Sequence, residues 1–147
     1  MPKPQLIETR ERYSIFSVVT TRWKDNDAFG HVNNAVYNAW MDTAVTQFFR
    51  AHEPGLPETP LIPVGVESHL TFHRSISHPD EVETGFRVER ISNRSVRCGV
   101  GIFSRGEIEA AAWGHMIHVW VARETNLAVA IPDKIRVGLE SALMQEK

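Results

Sequence analysis

One helical run limits what this chain can fold into. Tyr37, Trp40, Met41, Ala44, Val45, Phe48 and Phe49 recur at the i, i+3, i+4, i+7 spacing of a single helix face. Asn38, Asp42, Thr46 and Arg50 fall on the other face. Asn33 or Asn34 can cap the start, because a short amide side chain accepts a bond from an orphan helix N–H. The run ends near His52. Burying its apolar face is worth at most roughly 10–20 kcal/mol at ~1.5–3 kcal/mol per side chain. A helix with that much to bury must be central, and the remainder of the chain must cover it.

The remainder reads as strands. Tyr13 to Trp23 is rich in β-formers and predicts a first strand ahead of the helix. Glu53 to Pro63 holds Pro54, Gly55, Pro57, Pro60 and Pro63, a density that neither continues a helix nor enters a central strand, so a loop is expected. Val64 to His73 reads as a strand, and Arg74 to Asp80 as a connection. Val82, Thr84, Phe86 and Val88 alternate with Glu83, Gly85, Arg87 and Glu89, the pattern of a half-exposed strand. Val96, Cys98, Val100 and Ile102 share a face of the next strand, and a long strand is expected from Ile108 to Arg123. Ile131-Pro132-Asp133 can open a C-terminal helix. One early helix followed by a meander of strands is an α+β order, not alternating βαβ.

At 147 residues the chain is expected to be one domain spanning 1–147, with 1–12 as a polar, Pro-containing, loosely held arm. A formal net charge of −2 gives no strong pull toward nucleic acid or an anionic membrane. No run of ~18 apolar residues offers a membrane span. Met-Pro-Lys-Pro-Gln-Leu-Ile-Glu lacks an apolar signal core. The single cysteine, Cys98, forms no intrachain disulfide and fits a cytoplasmic location.

The segment before the helix suits neither a strand nor a helix interior. Asp25 and Asp27 lie two residues apart, followed by Gly30, His31, Asn33 and Asn34. This puts a carboxylate in a tight loop just ahead of a helix N-terminus, whose unpaired N–H groups carry partial positive charge. A carboxylate beside fixed N–H donors can hydrolyse an acyl compound. One group attacks or activates water while the other holds the developing oxyanion. The plainer reading is that both acids cap loop N–H groups and His31 fills a turn.

The run Asp25-Asn26-Asp27-Ala28-Phe29-Gly30-His31-Val32-Asn33-Asn34-Ala35-Val36-Tyr37, with Trp40 one turn on, resembles the signature of the 4-hydroxybenzoyl-CoA thioesterase-like branch of the hotdog-fold family. Looser similarity extends from about residue 13 to 139. The resemblance implies an antiparallel sheet wrapped around a long central helix, hydrolysis of an acyl-CoA, and a homodimer or homotetramer. It makes Asp27 catalytic, as general base or nucleophile, and puts the N–H that polarises the thioester carbonyl at Asn34. His31 joins them as an orienting group. Gly30, Asn33 and Tyr37 are the expected substrate contacts. Many relatives carry Glu then Arg after the tryptophan; here the nearest acid is Asp42 and that Arg is missing, a departure that bears on local helix packing. Asp42 is the runner-up for the catalytic acid, because related hotdog thioesterases with a helical glutamate imply that a mid-helix acid can face a groove beside the helix start.

Coenzyme A would enter as part of the substrate, with no separate cofactor. Its phosphates call for basic residues. Of Arg74, Arg87, Arg90, Arg94, Arg97 and Arg105, the set Arg90, Arg94 and Arg97 around one turn is the expected phosphate site. Phe29, Trp40, Phe48 and Phe49 could line an acyl pocket.

Rival chemistries lack their residues. His69 and His73 on a strand lie roughly 13 Å apart, and His115 and His118 point to opposite faces, so no metal site is expected. There is no Gly-x-Ser-x-Gly elbow and no nucleotide-binding glycine loop. Cys98 sits in an alternating strand, where a small buried side chain is the commoner role. Two alternatives share the fold: a non-catalytic acyl-CoA-binding sensor, and a dehydratase built on a histidine and an acid.

Overall fold

Segments with period-two patterning form strands, and the strands pair into one antiparallel sheet. The computed structural model describes residues 6–145. Its strands are β1 (Ile15–Val19), β2 (Leu61–Phe72), β3 (Val82–Ile91), β4 (Ser95–Ser104) and β5 (Ala112–Ala122). They lie in the order β1-β3-β4-β5-β2, each neighbouring pair antiparallel. The helix α1 (Asn34–His52) lies on the inner face of this sheet. Cys98, Val100 and Ile102 of β4, with Met116 and Trp120 of β5, alternate toward it and are buried. Phe48 stacks on Phe86 of β3, ring centres 4.5 Å apart. All seven residues of the apolar helix face are buried, and the four on the opposite face are exposed. A sheet wrapped around a central helix is the hotdog fold. A second helix, α2 (Asp133–Ser141), packs across the end of α1, where Gly138 leaves room for the His52 ring.

Several elements differ from their sequence patterns. The first strand ends at Val19, because the chain turns at Trp23–Asp25 to approach the helix. Pro63 is not in the loop but in β2, opposite Trp120. The sheet tolerates it because β2 is an edge strand, where a missing N–H removes no essential ladder bond. The strand expected from Ile108 begins at Ala112. Residues 108–110 pair instead with the N-terminal segment: Arg10 N–H donates to the Ile108 carbonyl at 2.8 Å, and Ala110 N–H to the Glu8 carbonyl at 2.9 Å. Residues 8–12 are therefore tied to the sheet; residues 1–5 of the expected arm lie outside the described residues.

Arg87, on the face expected to be half-exposed, is buried. Its guanidinium donates to Glu8 and Glu89 and lies 4.5 Å from the centre of the Tyr13 ring. That ring rests on the outer face of the sheet, where an added Cβ at Gly85 or Gly101 would stand 3.0 or 2.8 Å from it. Among the described residues no helix is long and apolar enough to cross a membrane.

Candidate active site

Between β1 and α1 the chain makes a small closed loop. Asn26 and Val32 pair as an isolated antiparallel bridge. Inside it, Asp27 N–H donates to the His31 carbonyl at 2.8 Å and Gly30 N–H to the Asp27 carbonyl at 3.0 Å. Gly30 has φ +82°, a left-handed conformation that side-chain-bearing residues rarely adopt, so it shapes the turn. A second loop, after β2, braces the first. Val32 N–H donates to the Ile76 carbonyl at 2.7 Å, the Ser77 hydroxyl to the Gly30 carbonyl at 2.8 Å, and His78 N–H to Asn26 Oδ1 at 2.9 Å.

The two loop acids have different surroundings. Asp25 is 2% exposed. Its carboxylate accepts the Arg22 N–H at 2.8 Å and two guanidinium bonds at 2.8 and 3.1 Å. Burial pushes its pKa up, but the bonds from Arg22 outweigh this and hold it below the usual carboxylate value. Asp25 is thus a structural acid. Asp27 is half-buried, and its Oδ1 accepts the Phe29 N–H at 2.9 Å. Its Oδ2 has no partner among the described residues. Asp42 lies two turns into α1 on the exposed face and does not line the depression described next.

The start of α1 is capped by Asn33, whose side chain accepts the Ala35 N–H at 2.9 Å and whose carbonyl accepts the Val36 N–H at 2.9 Å. Asn34 N–H has no acceptor among the described residues. Asp27, His31, Asn33, Asn34 and Tyr37 all line one open depression of about 540 Å³. The residue with an unheld carboxylate oxygen and the residue with an open helix N–H therefore line the same depression. Such a pair can activate water and polarise a carbonyl.

The opposite wall was not legible in the sequence. Phe72, His73 and Arg74, at the end of β2, line the same depression. The sheet order brings them there, and the His73 and Arg74 N–H groups fix the segment by donating to the Ala111 carbonyl at 2.8 and 2.9 Å. Its aromatic surface is Phe72 with Tyr37, ring centres 5.2 Å apart. Of the four aromatics expected there, Phe29 lines the depression, while Trp40, Phe48 and Phe49 are buried in the core.

Arg90, Arg94 and Arg97 are not brought to this site within one chain. They sit around the β3–β4 turn, whereas the depression lies at the other end of the sheet, where Phe72 pairs with Ala112 and Ala112 with Ile102. Eight residues of β4 separate Arg94 from Ile102, roughly 25 Å at ~3.3 Å per residue. Arg97 donates to Glu89 at 2.9 Å. Arg74 is the arginine at the depression, with one N–H held by the Glu109 carbonyl at 3.0 Å.

The histidines fall as their strand positions dictate. His69 and His115 are cross-strand partners with rings stacked at 5.5 Å, and His115 bonds Glu67 at 2.7 Å. His118 points the other way, against Phe49. No group of three His, Cys, Asp or Glu side chains is placed to hold a metal among the described residues. Cys98 is buried, and burial pushes its thiol pKa up, away from a nucleophilic thiolate.

The pattern describing the thioesterase-like superfamily matches residues 21–139. Among solved structures, the PA5185 protein of Pseudomonas aeruginosa is 34% identical over 97% of this chain and 100% of its own, with a TM-score of 0.92. A thioesterase from Thermus thermophilus, complexed with coenzyme A and Zn, is 29% identical over 90% of this chain and 96% of its own, with a TM-score of 0.77. A thioesterase predicted in Bacillus stearothermophilus is 25% identical over 90% of this chain and 98% of its own, with a TM-score of 0.79. Comparison with curated proteins gives no match.

Proposed function

The chain belongs to the thioesterase-like superfamily and is a thioester hydrolase, and we propose that its substrate is an acyl- or aryl-CoA, cleaved to free acid and coenzyme A. The observation that carries this reading is the shared depression of Asp27, with one carboxylate oxygen unheld, and the open Asn34 N–H.

In the proposed mechanism the thioester carbonyl oxygen lies on the Asn34 N–H, where the helix terminus favours negative charge. Asp27 takes a proton from water as the water oxygen adds to the carbonyl carbon, or attacks that carbon itself to give, once the thiolate has left, a mixed anhydride that water then hydrolyses to the free acid and the Asp27 carboxylate. Collapse of the tetrahedral adduct breaks the C–S bond, and the thiolate leaves and is protonated. His31 and Asn33 orient the site, Asn33 by fixing the first helical turn. Coenzyme A enters as part of the substrate, and Arg74, the arginine that lines the depression, is the proposed contact for its phosphates. Arg90, Arg94 and Arg97 would reach that substrate only if a second copy brings its turn to the site.

We propose that second copy on the strength of β2. It is a twelve-residue edge strand with Val66 60% exposed, the kind of edge that soluble proteins cover or pair. The function is tested by steady-state release of free thiol from a panel of aliphatic and aryl CoA thioesters. Turnover on at least one is expected. Binding across the panel without turnover would make the protein a sensor instead.

A further inference from the structure

We propose that the Tyr37 hydroxyl donates a hydrogen bond to the substrate's thioester carbonyl, as a second donor beside the Asn34 N–H. The inference rests on the hydrolase reading above. It begins with the direction of one bond. Ile76 N–H donates to the Tyr37 oxygen at 3.2 Å. A backbone N–H can only donate, so the phenol oxygen is the acceptor there and its own proton must go elsewhere. No acceptor for that proton is found among the described residues. Tyr37 is 2% exposed, so the proton also has little water to turn to. A buried donor without an acceptor is costly, and the depression that Tyr37 lines is where an acceptor can arrive.

The position suits the role. Tyr37 is three residues past Asn34 on α1, and side chains on a helix lean back toward its N-terminus. The ring is fixed on two sides, edge-on to Phe72 with centres 5.2 Å apart and tilted on Trp40 at 5.3 Å. Burial raises the phenol pKa, against the opposing pull of the Ile76 N–H, so the group keeps its proton. The plainer role, holding the loop after β2 by its Ile76 bond, uses the oxygen lone pair and leaves the proton unaccounted for. As the carbonyl π electrons move onto oxygen during addition, two donors rather than one would meet the developing charge.

The test is Tyr37→Phe, which keeps the ring and removes the hydroxyl. Three readings are taken: kcat and KM on a hydrolysed acyl-CoA, the melting temperature, and the infrared carbonyl stretch of a bound ketone analogue whose thioester sulfur is replaced by methylene. The expected result is a kcat lower by ~10²-fold with KM little changed, and a carbonyl stretch shifted to higher frequency. A lower melting temperature with kcat and stretch unchanged would overturn the proposal, because a loop anchor moves only the first. If the variant fails to fold, 3-fluorotyrosine at position 37 keeps the hydroxyl and makes it a stronger donor. The stretch should then fall further, and an unmoved stretch overturns the proposal. Should the wild-type protein bind the analogue yet release no thiol from any ester, the hydrolase reading fails while the stretch still decides the role of Tyr37.

Discussion

Asp27 and Phe29 divide the proposed catalytic carboxylate in two: Oδ1 accepts the Phe29 N–H at 2.9 Å, and Oδ2 is left for chemistry. An asparagine at 27 can keep the first bond through its amide oxygen and loses only the ionised second oxygen. Asp27→Asn should therefore fold and bind as the wild type does. Its kcat should fall by at least ~10²-fold, more if Asp27 is a nucleophile. Asp42→Asn, measured on the same acyl-CoA, should remain near wild type. The reverse pattern would move the catalytic acid onto the helix.

Asn34→Pro removes the open N–H while disturbing little else. Position 34 is the first helical residue, where proline is well tolerated. Asn33, with φ −62° and ψ 140°, already has the extended backbone that a following proline demands. Circular dichroism should be unchanged, and turnover should fall by roughly 10²–10³-fold. Unchanged turnover in a folded variant would remove Asn34 from the mechanism.

Asp25→Asn should act on stability, not chemistry. Losing a buried acceptor of charged hydrogen bonds should cost about 1–3 kcal/mol at neutral pH. The pH dependence has a definite sign. The folded pKa of Asp25 lies below its unfolded value, so the folded state binds this proton less readily. Its contribution is complete above the ordinary carboxylate pKa of ~3.9 and is lost as pH falls through the folded pKa. Thermal melts should show the variant's deficit at pH 7 shrinking below pH 4, with kcat at pH 7 near wild type. A constant deficit across that range would contradict the role given to the Arg22 bonds.

The exposed β2 edge predicts a homodimer or homotetramer. Light scattering should give a multiple of the single-chain mass across micromolar concentrations. A second copy pairing on β2 should be weakened by Val66→Lys, which puts a charge on that edge. A monomer at every concentration would rule the assembly out.

Local patterning was a good guide to some of this and silent on the rest. The α1 face was legible because period 3.6 and burial coincide at every one of its positions, from Tyr37 to Phe49. The Asp27–Asn34 half of the depression was legible because it is contiguous in sequence. Phe72 and Arg74 were not, because only the pairing of β2 with β5 carries them there. Burial of Arg87 was hidden for a similar reason: Glu8 and Tyr13, which cover it, are remote in sequence. Proline count misplaced Pro63, since composition does not reveal that β2 is an edge.

The brace between the two loops has a consequence for solvent exchange. Val32 and Ile76 are far apart in sequence, yet Val32 N–H ends on the Ile76 carbonyl and Ile76 N–H on the Tyr37 phenol. The acid-bearing loop cannot lift from the helix start without also releasing the loop after β2. The two amides should therefore trade hydrogen for deuterium through one shared opening, at one common free energy. A substrate analogue seated against Asn34 and Tyr37 should slow both together.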